Sequence, residues 1–311
     1  MVINKKRKKV LISIIITVLL LFILPFFATK WIYDGVFARY DCGRHSTATD
    51  ASLPCQAFRY PSGNNMLSGY WFACEDDNNK NTLIVLVPGH HACTDTYRWQ
   101  IHELLAYGWS VFSFDATGSC SSDGASSVGF PQTIHDLNAT LDYLASRNNL
   151  NYEHVVLLGH SRGGYAACCS LAYGHDVSAV VSVSGINSAM DGAIGAASQY
   201  VGDFAYGNYG FLWLYQALLF GKETVNLRAD QVLSDADTPV LLIHGAEDTV
   251  VPMDRYSIVS HRDDIENENA EYLVCQSPDN AGHTDLLFDK DGTAEDNIIL
   301  AIDRFLTKHL A

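Results

Sequence analysis

Gly159-His160-Ser161-Arg162-Gly163 sets a serine between two glycines, after the apolar run His154–Leu158 and before the small-residue stretch Gly164–Ala172. That order reads as strand, sharp turn, helix, a turn that lifts a strained serine clear of a sheet. Gly159 and Gly163 suit a place where strand and helix come too close for a Cβ. The chemistry open to such a serine is attack on a carbonyl carbon. A hydroxyl is a poor nucleophile at neutral pH, so a base has to take its proton. His283, on the loop Asn280-Ala281-Gly282-His283, is the candidate base. Asp248, in Ala246-Glu247-Asp248-Thr249-Val250-Val251-Pro252, is the candidate to hold the imidazole in one tautomer and stabilise its cation. Glu247 and Asp285 are rival acids. Glu247 is expected to face away, and Asp285 lies too near His283 in sequence and better suits a helix cap. The tetrahedral oxyanion needs two aimed N–H donors, and the backbone N–H of Arg162, directly after the serine, is one candidate.

These residues need a scaffold that gathers them. Residues 56–75 read as a hairpin, Phe58–Tyr60 and Tyr70–Cys74, around Ser62-Gly63-Asn64-Asn65. Thr82–Val87, Val111–Asp115, Val155–Leu158, Ala179–Val183, Val240–Ile243 and Glu271–Gln276 read as further strands. Asp95–Tyr107 reads as a helix with Trp99, Ile101, Leu104 and Leu105 toward its core side. Thr133–Ser146 carries Ile134, Leu137, Leu141 and Leu144 at helical spacing. Asn297–Leu310 closes the chain as a helix. Strands alternating with helices imply an α/β fold with a mostly parallel central sheet flanked by helices. Ser161, Asp248 and His283 then fall beyond the carboxyl ends of strands, where open parallel sheets gather function. Residues 185–236 interrupt this alternation. The segment is rich in Gly, Ala and aromatics (Tyr200, Phe204, Tyr206, Tyr209, Phe211, Trp213, Tyr215, Phe220) and reads as a short helical cap that builds an apolar pocket or packs down onto the core.

The chain resembles the α/β-hydrolases, in the branch that groups serine aminopeptidase-like lipases with small esterases. Gly-His-Ser-Arg-Gly-Gly, His-Gly-Ala-Glu-Asp-Thr-Val-Val-Pro, Gly-His-Thr and residues 112–124 carry the resemblance, which covers roughly residues 56–309. It implies an α/β-hydrolase fold and a Ser161, Asp248, His283 triad. It also implies that the second oxyanion donor is the backbone N–H of His90, on the loop after the third strand. Family members often carry His-Gly before that residue, where this chain has Pro88-Gly89-His90.

Composition sets the surroundings. A hydrophobic share of 48% is ample for a core. Residues 1–9 hold the basic cluster Lys5-Lys6-Arg7-Lys8-Lys9, and Val10–Ala28 is a run without charge, long enough to cross a bilayer core. A cut after Ala28 would put bulky Phe26 where signal peptidase prefers a small residue. Residues 10–29 therefore read as an uncleaved signal anchor in the cell membrane, crossing once. The basic tail stays cytoplasmic, and the catalytic domain (56–311) lies outside the cytoplasm. Residues 30–55 read as a juxtamembrane segment, with Trp31, Tyr33, Phe37 and Tyr40 at the membrane interface. The net charge is −15, and −20 once the first nine residues are set aside, which argues against nucleic acid and anionic lipid as partners. The eight cysteines fit an oxidising compartment and no zinc spacing. Cys42 with Cys55, and Cys93 with Cys120, are candidate pairs, while Cys168 and Cys169 read as buried packing. His90-His91 is read as a loop feature and not a metal site, His160 as loop support, and the Arg162 side chain as structural or at a pocket rim. No cofactor or metal is expected.

The reading is a membrane-anchored serine hydrolase, most simply a carboxylesterase, taking a small ester or acyl substrate through an acyl-enzyme. The alternatives are an aminopeptidase-like serine peptidase, an acyl transferase, or a catalytically silent binding protein on the same fold.

Overall fold

The computed structural model describes residues 5–43, 52–74, 80–147, 152–288 and 295–310. Its strands are β1 (Gln56–Ser62), β2 (Asn65–Phe72), β3 (Thr82–Val87), β4 (Ser110–Asp115), β5 (His154–His160), β6 (Ala179–Val183), β7 (Val240–Gly245) and β8 (Ala270–Cys275). They form one eight-stranded sheet in the order β1-β2-β4-β3-β5-β6-β7-β8. The hairpin β1–β2 and the β2–β4 pair are antiparallel, and every pairing from β4 to β8 is parallel. Seven strands agree with their sequence reading to within two residues, while β2 starts five residues before the Tyr70 expected for it.

The sheet is covered on both faces because alternate side chains of a strand point opposite ways. Leu83, Val85 and Val87 of β3 face one core with helices Phe130–Ala145 and Arg162–Cys169. Ile84 and Leu86 face the other core with helices Arg98–Ala106 and Asp296–Leu310. Ile134, Leu137, Leu141 and Leu144 are all buried, as their spacing requires. The helix over residues 95–107 departs from its reading. Thr94–Tyr97 is a 3-10 turn, and only Arg98–Ala106 is α-helical. Trp99 is 44% exposed, and Gln100 takes an inward place instead, donating to the carbonyl of Leu287.

Between β6 and β7 lie the helices Ala189–Val201, Tyr209–Phe220, Lys222–Val225 and Ala229–Ser234, with a 3-10 stretch Gly202–Asn208. The side chains of Tyr200 and Phe204 fall outside the described residues.

One helix, Lys5–Val36, is long and apolar enough to cross a membrane, and none of its most apolar stretch is buried. Its far end corrects the reading of the segment that follows. Trp31 is 79% exposed, but Tyr33 and Phe37 are buried in the core that backs the sheet. The chain then bridges to the loop after β4, Ala38 to Ser126 and Tyr40 to Ser119. Arg39 donates to the carbonyls of Ser122, Gly124 and Cys120 at 3.0, 2.7 and 2.6 Å. Residues 33–40 are thus part of the folded body, because two aromatic side chains find more apolar contact there than at a lipid surface. Residues 44–51 of the juxtamembrane segment lie outside the described residues.

Candidate active site

β5 delivers Ser161. The serine holds φ +57° and ψ −119°, a conformation that costs a side-chain-bearing residue free energy and persists only where the surroundings enforce it. The surroundings here are two close backbone approaches. A Cβ on Gly159 would stand 2.1 Å from the carbonyl oxygen of Gly163, and a Cβ on Gly163 would stand 2.1 Å from that of Val87. Helix Arg162–Cys169 can leave the strand so sharply only because both are glycine.

β7 and β8 deliver the other two residues. His283 Nδ1 lies 2.7 Å from Asp248 Oδ2. The ring nitrogen facing the carboxylate carries the proton, which leaves the Nε2 lone pair free to accept one. Asp248 is buried, and its Oδ1 accepts from the backbone N–H groups of Val250 and Val251 at 2.9 and 2.8 Å. Burial would raise its pKa, but hydrogen bonds from His244 and His283 outweigh this and hold the carboxyl below its ordinary range. Glu247 is exposed, as expected. Asp285 is exposed too, on a run of turns where no helix begins, so the capping role expected for it is not present.

Ser161 and His283 meet through the residue between them. His160 Nε2 donates to the carbonyl of His283 at 3.2 Å, and the two rings are 5.0 Å apart. His160 Nδ1 faces Tyr97 Oη at 2.9 Å, and Tyr97 Oη accepts from the N–H of Gly89 at 3.0 Å. With Nε2 protonated, Nδ1 is the acceptor, so the tyrosine donates to it. One chain of hydrogen bonds therefore ties the loop after β3, the serine turn and the His283 loop together. Burial pushes His160 down to about 3, which keeps the ring neutral and the chain's direction fixed. Among the described residues no hydrogen bond joins Ser161 Oγ to the His283 ring. Such bonds often tighten only around a substrate.

His90 lies on the loop after β3 and Arg162 at the first turn of the helix behind the serine, the two positions where the sequence analysis expects oxyanion donors. Among the described residues neither backbone N–H is spent on another backbone group. The Arg162 side chain is not at a rim. It is 1% exposed, with Nε and Nη2 making no hydrogen bond. Burial lowers its pKa to about 10, so it remains a cation at neutral pH. That cation adds to burial in lowering His90, to about 2, so the imidazole beside the site stays neutral. His90 stacks on His91 at 3.9 Å and meets the edge of Phe37 at 5.2 Å, while His91 stacks on Tyr40 at 5.1 Å.

Cys93, Cys120, Cys168, Cys169 and Cys275 are reduced thiols. The Sγ atoms of Cys93, Cys120 and Cys42 lie within 4.8 Å of one another, three soft donors that could hold a metal ion. The sequence reading paired two of them and placed Cys42 with Cys55 instead. Cys168 and Cys169 are fully buried. The reading also passed over Tyr97 and His244, whose Nε2 lies 3.3 Å from Asp248 Oδ2. His244 is four residues before Asp248, at the end of a strand, which was the one available signal.

A family described as alpha/beta hydrolase fold matches residues 82–210. The chain has the α/β-hydrolase fold. The esterase Pf2001 of Pyrococcus furiosus is similar at 20% identity and a TM-score of 0.67, over 88% of this chain and 99% of that one. Est1E of Butyrivibrio proteoclasticus, with ferulic acid bound, is similar at 16% identity and a TM-score of 0.62, over 82% and 99%. An acylaminoacyl peptidase of Pyrococcus horikoshii is similar at 18% identity and a TM-score of 0.57, over 82% of this chain and 41% of the peptidase. No curated protein matches the sequence.

Proposed function

We propose that this α/β-hydrolase is a membrane-anchored serine hydrolase that cleaves carboxylic esters. The observation that carries the reading is the Asp248–His283 pair, 2.7 Å apart, set beside a serine held at φ +57°. Ser161 Oγ attacks the acyl carbon while His283 Nε2 takes its proton. The N–H groups of His90 and Arg162 receive the oxyanion, and the buried Arg162 cation favours negative charge there. The tetrahedral species collapses as the bond from acyl carbon to alcohol oxygen breaks, and His283 returns the proton to the departing alcohol. Water, deprotonated by the same imidazole, then releases the acid from the acyl-enzyme. Asp248 keeps the imidazole in one tautomer throughout.

The test is labelling of the full chain by a fluorophosphonate, alongside Ser161→Ala. The wild type is expected to label, and the variant to lose both labelling and about 10⁴-fold or more of p-nitrophenyl ester turnover while staying folded. Labelling retained in the variant would remove Ser161 as nucleophile. Turnover of aminoacyl-nitroanilides in preference to esters would replace the esterase reading with the peptidase one. A folded wild type that never labels would favour a binding protein.

A further inference from the structure

Helix Tyr209–Phe220 has no charged residue in its twelve positions. Leu212, Tyr215 and Gln216 are its buried side. Its outer side is equally apolar. Leu214 and Leu218, four apart on one face, are exposed, Leu218 by 69%, with Leu219 beside them. Phe211, three before Leu214, continues the stripe half-buried. Single exposed leucines are ordinary, but a contiguous apolar stripe on a helix facing outward calls for a partner.

The neighbouring element says which partner. Tyr215 is gripped by the end of the long N-terminal helix. Phe26 meets its ring edge-on at 6.1 Å, Tyr33 does so at 5.3 Å, and Lys30 Nζ lies 5.2 Å from the ring centre. Tyr215 Oη donates to Asp34 at 2.5 Å. Phe26 lies two residues before the end of the uncharged run Val10–Ala28, and Lys30 is the first charge after it. Tyr215 therefore sits at the depth where an apolar span gives way to a polar surface, the depth at which tyrosine and tryptophan collect. Anything that encloses residues 10–28 reaches this helix as well.

We propose that the outer face of helix Tyr209–Phe220 is seated in the boundary between headgroups and acyl chains of the membrane that residues 10–28 cross, and that the site draws its ester from that membrane. The proposal rests on the hydrolase and anchor readings above. A stack of rings links seat to site: Tyr215 to Tyr33 at 5.3 Å, Tyr33 to Phe37 at 4.5 Å, and Phe37 to His90 at 5.2 Å. The substrate class is an ester too apolar to leave the bilayer, such as a diacylglycerol. The acidic surface elsewhere suits a zwitterionic lipid over an anionic one.

The full chain, reconstituted in phosphatidylcholine vesicles containing a diazirine-bearing phosphatidylcholine, would be photolysed and its adducts mapped by mass spectrometry. Adducts in residues 209–220 as well as 10–28 are expected. Adducts in 10–28 alone would overturn the seat, and adducts in neither would overturn the anchor and the seat together. Leu218→Asp is expected to cut turnover of diacylglycerol in the vesicles about tenfold and to leave soluble p-nitrophenyl acetate unchanged. Equal loss on both esters, or loss on neither, would overturn delivery from the membrane. A wild type inert toward p-nitrophenyl acetate would strike the hydrolase reading alone, since the adduct map decides the seat without turnover.

Discussion

Ser161 and His90 stand beyond neighbouring strands whose ends are paired, Val87 with Gly159, yet the loops that hold them are built in opposite ways. The serine turn is held by close backbone contact. Two glycines let backbone meet backbone, Gly159 against Gly163 within the turn and Gly163 against the Val87 carbonyl of the neighbouring strand. The His90 loop borrows its support. Phe37 and Tyr40 come from the segment after the N-terminal helix, Tyr97 comes from the next turn, and Cys93 meets Cys42 and Cys120. In the proposed mechanism, a strained nucleophile needs a rigid backbone frame. A loop that only has to present an N–H can be steadied by side chains from elsewhere. The difference predicts where each fails.

The largest effect is expected at Gly163→Ala. Its Cβ would stand 2.1 Å from the Val87 carbonyl oxygen, a backbone atom with no room to move. A loss of about 3 kcal/mol or more is expected, with activity gone, and denaturant unfolding would measure it. A variant of native stability and rate would mean the turn does not need its close approach. Phe37→Ala comes next. Removing a buried phenyl ring costs about 3–5 kcal/mol. If the ring also steadies the His90 loop, kcat should fall about 100-fold with KM little changed, the pattern of a loosened oxyanion donor. Unchanged kcat in the folded variant would show that the loop needs no support from this segment.

Tyr97→Phe is milder. It leaves the Gly89 N–H and His160 Nδ1 without their partner, at a cost of about 1–3 kcal/mol. A several-fold fall in kcat should accompany it, because the chain of hydrogen bonds to the His283 loop is cut. For His160→Asn the diagnostic effect is small and lies in the pH dependence of stability. The ring is held near 3, against an ordinary value of 6.5, so the unfolded chain takes up a proton first as pH falls. Wild-type stability should therefore be level above pH 6.5 and decline from there toward pH 3. The variant should decline less over that window and match wild type in slope above it. Melting temperature against pH for both proteins would check this.

The same contrast governs what the sequence could reveal. Every strand from β3 to β8 was legible, because a run such as Thr-Leu-Ile-Val-Leu-Val leaves few alternatives between its flanking turn residues. The serine turn was legible because the two glycines that its close approaches require flank the serine in sequence. Asp248 and His283 could be placed on neighbouring loops, since β7 and β8 fix where those loops start. Contacts between distant segments were not legible. Phe37 lies 53 positions before His90, and nothing in its own neighbourhood distinguishes it from a ring at a membrane surface. Trp99 and Gln100 exchanged places because a 3-10 turn shifts the phase of the helix that follows. The buried Arg162 guanidinium was hidden for a related reason, since arginine's usual place is at the surface and only the packed interior around this one says otherwise.

Arg39, with its hold on three carbonyls of the loop after β4, bears on how such a protein could be released from a membrane. The long helix has a severable half and a structural half. A protease cutting ahead of Phe26 would shed a body that keeps Tyr33, Phe37 and Arg39 in place. A cut beyond Val36 would carry off Tyr33 and leave Phe37 at a fraying new terminus, so the shed product would lose the support under its His90 loop. On the proposed anchor and site, a cut at the first position would liberate the molecule and a cut at the second would disable it.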